Sequence, residues 1–236
     1  MKHPIYSRLV LGSIISAGAA YCAEPVYQWS FDEGEGTTAA DSKCKVKVPL
    51  INFPENTRWV NGKRGTGVQI KRAEGKKKAG GLAMPLSPEL FMKPFTLEFW
   101  VRFDDGIPRG TFRDMVGNGG DKGPGFRLTY WLQGLKVVSG DGKKVVTVGS
   151  GKLNILPDVW NMVAMTYDGG KIELFLNGEK VCSEKIQLTR GNKKLSLGSF
   201  GYGFAYPVEG TIDEFCYYDY AKTGEEIIQA YQKNML

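Results

Sequence analysis

Residues 95–103 read Phe-Thr-Leu-Glu-Phe-Trp-Val-Arg-Phe. Phe95, Leu97, Phe99, Val101 and Phe103 fall at every second position, which puts them on one face of an extended strand and would scatter them around a helix. Such a strand must lay that face on a core. Further strands are predicted over Val26 to Phe31, Gly67 to Lys71, Phe126 to Leu132, Leu135 to Val138, Lys144 to Val148, Trp160 to Tyr167, Ile172 to Leu176, Leu195 to Leu197 and Thr211 to Tyr218. Asn61-Gly62, Asp141-Gly142, Asp168-Gly169-Gly170 and Asn177-Gly178 separate them, dipeptides that accept positive φ at a chain reversal. About ten short strands at this spacing predict an all-β sandwich or barrel. The 31 Gly and 11 Pro agree with that class.

Trp160 to Tyr167 is apolar on both faces, so it is expected to run through the middle of a sheet. One helix is predicted, near the C-terminus. Thr223-Gly-Glu-Glu226 has the form of a capping box, and Ile227, Ile228 and Tyr231 follow as an apolar stripe. Neither a linker nor an internal repeat divides residues 24–236, which read as one domain.

Residues 1–23 read as a signal peptide. Lys2 and Arg8 supply its positive start, and Leu9 to Ala20 is a twelve-residue apolar stretch that ends in small residues. A span needs about 20 residues, so no transmembrane segment is expected. The single histidine is His3; once the leader is removed, imidazole chemistry is excluded, including Ser-His-Asp nucleophile systems and zinc sites built on histidine. Without Lys2 and Arg8 the side chains number 29 basic against 25 acidic. The densest basic run, Lys76 to Lys78, sits between glycines as an exposed turn, and with export expected nothing points to nucleic acid. Cys44, Cys182 and Cys216 form an odd set after cleavage, so at most one internal disulfide is expected.

The order of these segments resembles the laminin G-like, concanavalin A-like jelly-roll domains of exported bacterial proteins. The resemblance runs from Trp29-Ser-Phe-Asp-Glu-Gly-Glu-Gly36 through Trp59-Val-Asn-Gly-Lys-Arg-Gly65 and the Phe95 to Phe103 strand. It continues through Trp160 to Glu179 and closes with Leu195-Ser-Leu-Gly198 and Gly210-Thr-Ile-Asp-Glu-Phe215. It implies an antiparallel two-sheet β-sandwich with one short C-terminal helix, on a fold that hosts sugar binding, adhesion, catalysis and purely structural roles. Related domains often carry a structural calcium. Asp32, Asp41 and Asp213 are the expected ligands, since hard oxygen donors suit Ca²⁺ and first and last strands of jelly rolls often pair. The alternative is that these acids bond turn amides or pair with Lys and Arg. Concanavalin-like glucanases instead use acids at alternate positions of one strand. The adjacent Asp213 and Glu214 face opposite ways, so the resemblance does not extend to that catalytic set.

Binding has better candidates. Phe200-Gly-Tyr202-Gly-Phe204-Ala-Tyr206 is an aromatic, glycine-rich loop, and Trp100, Tyr130 and Trp131 add further rings; aromatic faces stack on the C–H faces of sugars. Tyr202, Phe204, Tyr206 and Trp100 are the predicted ligand contacts, with Asp121 at the tip of the Gly117 to Gly125 loop as a rim. The expected function is therefore a secreted or cell-surface, non-catalytic carbohydrate-binding or adhesion module. A structural domain binding an envelope protein is the first alternative, and a glycan-active hydrolase or lyase the second.

Overall fold

The computed structural model describes residues 23–43, 45–73, 79–106, 110–201, 203 and 205–235. Among them sixteen strands follow one another. The N-terminal part contributes β1 (Tyr27–Trp29), β2 (Thr38–Ala40), β3 (Lys47–Ile51), β4 (Thr57–Asn61), β5 (Thr66–Ile70) and β6 (Gly81–Ala83). The middle contributes β7 (Phe95–Phe103), β8 (Arg113–Gly117), β9 (Gly125–Trp131), β10 (Gly134–Gly140) and β11 (Val145–Gly149). Then come β12 (Asn161–Tyr167), β13 (Lys171–Leu176), β14 (Glu179–Lys185), β15 (Ser196–Leu197), β16 (Gly210–Tyr218) and the helix α1 (Gly224–Lys233).

They form two antiparallel sheets. The first has the order β14-β13-β12-β7-β16-β5-β4, with β1 also pairing β16. The second runs β11-β10-β9-β8-β15-β6-β3-β2. Inward residues of both sheets interdigitate in one core, as in aligned sandwiches. Phe95, Leu97, Phe99, Val101 and Phe103 all belong to it, as the alternation requires. First and last strands do pair, with Trp29 opposite Phe215.

β12 lies between β7 and β13, and every residue in it is buried. Val163 and Met165 face the core; Ala164 meets Phe175 and Ile227 of α1 on the outer side, so the helix explains why both faces are apolar. The capping box is complete: the Thr223 amide donates to Glu226 Oε2 at 2.8 Å and the Glu226 amide to Thr223 Oγ1 at 3.3 Å. Of the predicted stripe, Ile227 is buried and Tyr231 stacks on Trp100, whereas Ile228 points to solvent.

Six strands were not expected: β2, β3, β4, β6, β8 and β14. β2 and β6 have only three residues each. Pro49 interrupts the pattern of β3, and β14 carries charges because it is a sheet edge, where charges discourage further pairing. Asn177 and Gly178 both take positive φ, 53° and 81°, as a tight hairpin between β13 and β14 demands. At Gly62 the reason for glycine is different. A Cβ there would lie 2.6 Å from Asp213 Oδ2 and from the Arg64 carbonyl, so the residue permits a close approach.

Candidate ligand-binding site

The outer face of the second sheet carries the site. Phe126, Leu128 and Tyr130 turn into the core, so the alternation of β9 sends Arg127, Thr129 and Trp131 outward. On β8 a register shift between Asp114 and Val116 lets Asp114 point out opposite Thr129 while Val116 points in. Gly117 stands opposite Arg127, where a Cβ would crowd the Arg127 Cα at 2.8 Å. Arg127 Nη1 then lies 3.2 Å from Asp114 Oδ2, with the side chains 5% and 2% exposed. Burial pushes the Asp114 carboxyl up to about 6, and the Arg127 charge holds it back.

Rings surround this pair. The Arg127 guanidinium is 4.7 Å from the Phe112 centroid, 5.3 Å from Phe200 and 5.7 Å from Tyr206. Phe112 stacks on Trp131 at 4.6 Å and meets Tyr206 at 5.3 Å. Phe112, Trp131 and Phe200 are partly exposed and Tyr206 is exposed, so the cluster presents ring surface to solvent.

Beside the rings is a cavity of about 240 Å³ between the Asn118–Pro124 loop and the segments 192–194 and 199–201. Asn118 Oδ1 accepts from the Phe126 amide at 3.1 Å, and the Gly125 amide donates to Thr189 Oγ1 at 2.8 Å, which tie the loop down. Among the described residues Asp114 Oδ1, Arg127 Nε and Asn118 Nδ2 are buried without a hydrogen-bond partner, and all three residues line this one cavity. Buried polar atoms normally have partners. One acceptor and two donors suit hydroxyl groups, which both donate and accept.

Tyr206 and Asp121 are thus brought to one face, Tyr206 in the ring cluster and Asp121 at the cavity rim. Tyr202 and Phe204 lie outside the described residues; a bridge between Phe200 and Ala205 closes the loop that contains them. Trp100 is a correction. It is 2% exposed on the outer face of the first sheet, stacked on Tyr231 at 5.9 Å with the Lys63 ammonium 4.8 Å from its ring, so α1 covers it. Tyr130 is core, its hydroxyl donating to the Leu153 carbonyl. Phe112, Asp114, Asn118 and Arg127 were not foreseen. The alternation Phe126-Leu128-Tyr130 was the signal that could have exposed Arg127 and Trp131 together.

Each of the three expected calcium ligands accepts backbone amides. Asp213 Oδ2 accepts the amides of Lys63 and Arg64 at 2.8 and 3.1 Å, and its Oδ1 that of Glu214 at 2.9 Å. Asp32 Oδ1 accepts the Thr66 amide at 3.1 Å. Asp41 Oδ2 and Oδ1 accept the amides of Gln28 and Lys43 at 2.6 and 3.0 Å. Among the described residues no group of three metal-ligating side chains forms. Through these amides Asp32 and Asp213 clamp the two sides of the 62–66 turn. Cys182 and Cys216 are free thiols, and Cys44 and the Lys76 to Lys78 turn lie outside the described residues. No described helix is long and apolar enough to cross a membrane.

The architecture is that of a jelly-roll sandwich with a cavity beside an aromatic cluster on one sheet face, Phe200 belonging to both. A family profile described as the concanavalin A-like lectin/glucanases superfamily, of laminin G type, matches residues 78–228. The chain belongs to that family. Among curated proteins, pappalysin-1 of Mus musculus is 27% identical over 167 residues, which cover 59% of this chain and 10% of pappalysin-1. The chain therefore spans only a tenth of that relative. Solved structures share the fold. Domain 4 of AbnA, a GH43 extracellular arabinanase from Geobacillus stearothermophilus, in complex with arabinotriose, superposes with TM-score 0.67 at 17% identity, covering 89% of this chain and 98% of that one. The binding domain of botulinum neurotoxin DC in complex with SialylT gives 0.68 at 11% identity, covering 90% of this chain and 52% of that one.

Proposed function

We propose that this domain is an exported, non-catalytic carbohydrate-binding module that holds glycan against the Phe112, Trp131, Phe200 and Tyr206 rings. The observation that carries the reading is a ring surface beside a cavity that holds three buried polar atoms without a partner among the described residues. Rings stack on the apolar face of a sugar while Asp114, Arg127 and Asn118 receive its hydroxyls. The arabinotriose complex of the similar AbnA domain supports this choice. Export rests on the segment 1–23, and places the module outside the cell or at its surface.

Affinity electrophoresis in arabinan, galactan, xylan and glucan gels tests the reading. Retention on at least one polymer is expected, reduced at least tenfold by Trp131→Ala. A folded protein retained on none would overturn it.

Binding to an envelope protein through the same loops is the second reading, favoured by a similar toxin binding domain in complex with rat synaptotagmin II. Catalysis is disfavoured by the direct pairing of Asp114 with Arg127, which leaves exposed Asp121 as the only other carboxylate lining the cavity. Release of reducing ends from the same polymers would revive it.

A further inference from the structure

We infer that the cavity takes an acidic glycan, one whose carboxylate or sulfate oxygens meet the cationic wall while its ring lies on the aromatic cluster. The inference rests on the binding reading and sharpens its ligand class. Four basic residues line the cavity, Arg127, Lys122, Lys193 and Lys194, against two acids, Asp114 and Asp121. Arg127 and Asp114 neutralise each other at 3.2 Å on the floor, so the balance is set at the rim, where exposed Lys122 and Lys193 face exposed Asp121. The neighbouring Arg190 is already paired with Glu89 and adds nothing to this field.

The polar atoms on the floor lean the same way. Among the described residues Arg127 Nε and Asn118 Nδ2 are two donors without an acceptor, against one acceptor, Asp114 Oδ1, without a donor. An oxyanion offers acceptors only, and a cleft of one sign concentrates ligands of the other. The two cavity loops supply the lysines independently, Lys122 from the β8–β9 connection and Lys193 with Lys194 from the segment before β15.

A matched polymer pair tests the inference, polygalacturonate against neutral galactan, by isothermal titration at low and high salt, with dextran sulfate as a third arm. Polygalacturonate or dextran sulfate is expected to bind at least tenfold more tightly than galactan at low salt, the two arms distinguishing carboxylate from sulfate. The double variant Lys122→Gln/Lys193→Gln, at exposed positions that leave the fold intact, is expected to erase that preference. Lys47→Gln/Lys185→Gln removes the same net charge from β3 and β14, neither of which lines the cavity, and is expected to keep it. Equal affinity for acidic and neutral polymers, or equal losses in the two double variants, overturns the inference and leaves the binding reading standing. Failure to bind any of the three, or any neutral polymer above, removes both.

Discussion

The Lys222 ammonium lies 2.8 Å from Glu98 Oε1, with both side chains under a tenth exposed, and it sits 3.5 Å from the centre of the Tyr218 ring. This pair joins the segment that leads into α1 to the outer face of β7. The Lys222 amide adds a hydrogen bond to Thr96 Oγ1 at 2.9 Å. Burial raises the Glu98 carboxyl above its ordinary range and Lys222 opposes the rise, so the ammonium keeps an otherwise unfavourable charge in place.

Lys222→Met should therefore destabilise the domain by about 3–5 kcal/mol, because it leaves a buried carboxylate without its partner. Adding Glu98→Gln should recover most of that loss. Urea denaturation of the two variants measures both; an unchanged midpoint in the single variant would contradict a buried, coupled pair.

Asp213 links two segments 150 residues apart through the Lys63 amide. Asp213→Ala takes the acceptor from three part-buried amides and should cost about 1–2 kcal/mol. Chelator should leave the thermal midpoint of the wild type unchanged, since backbone amides already occupy the carboxylates of Asp32, Asp41 and Asp213. A fall of several degrees in calcium-free buffer would restore the metal to the account.

The pH dependence has a definite sign. Burial pushes Asp114 to about 6 and Asp213 to about 7, above the ordinary aspartate value of 3.8. Each folded carboxyl holds its proton at a pH where the unfolded chain has released it. Their contribution is thus complete below the unfolded pKa and is lost as pH rises through about 6 and 7. Thermal midpoints should fall from pH 5 to pH 8, and less steeply in Asp114→Asn. A midpoint that rises over that range would mean both groups stay ionised in the fold.

Trp100 and Trp131 should separate stability from binding. Trp100→Ala empties the space beneath Tyr231 and should cost about 3–5 kcal/mol with glycan affinity kept. Trp131→Ala, at a partly exposed ring, should weaken glycan binding with little change in the melting midpoint. Titration and melting on the same samples decide between this pattern and its reverse.

Much of the fold was legible because its signals are local. The Phe95 to Phe103 alternation, the Asn177-Gly178 turn and the Thr223-Glu226 capping box each depend on a few neighbouring residues, and each has the form expected. β14 was not legible: an edge strand buries one side chain well, Cys182, and carries charges elsewhere, so its pattern resembles a loop. At the site, Tyr206 and Asp121 could be nominated as loop residues, whereas Trp100 could not be told from an exposed ring. Its burial depends on Tyr231, which stands more than a hundred residues later in the chain.

Alternation, turn chemistry and the order of motifs thus determined an antiparallel two-sheet sandwich, and the lone His3 leaves residues 4–236 without an imidazole. Tertiary structure decided the rest. It paired Asp114 with Arg127 across two strands, gathered Phe112, Trp131, Phe200 and Tyr206 from separate segments, and set Asp32, Asp41 and Asp213 against backbone amides. The physical reason is one of range. Periodicity and capping act between residues a few positions apart, while ring clusters, ion pairs and cavities form between residues that meet only when the sheets are packed.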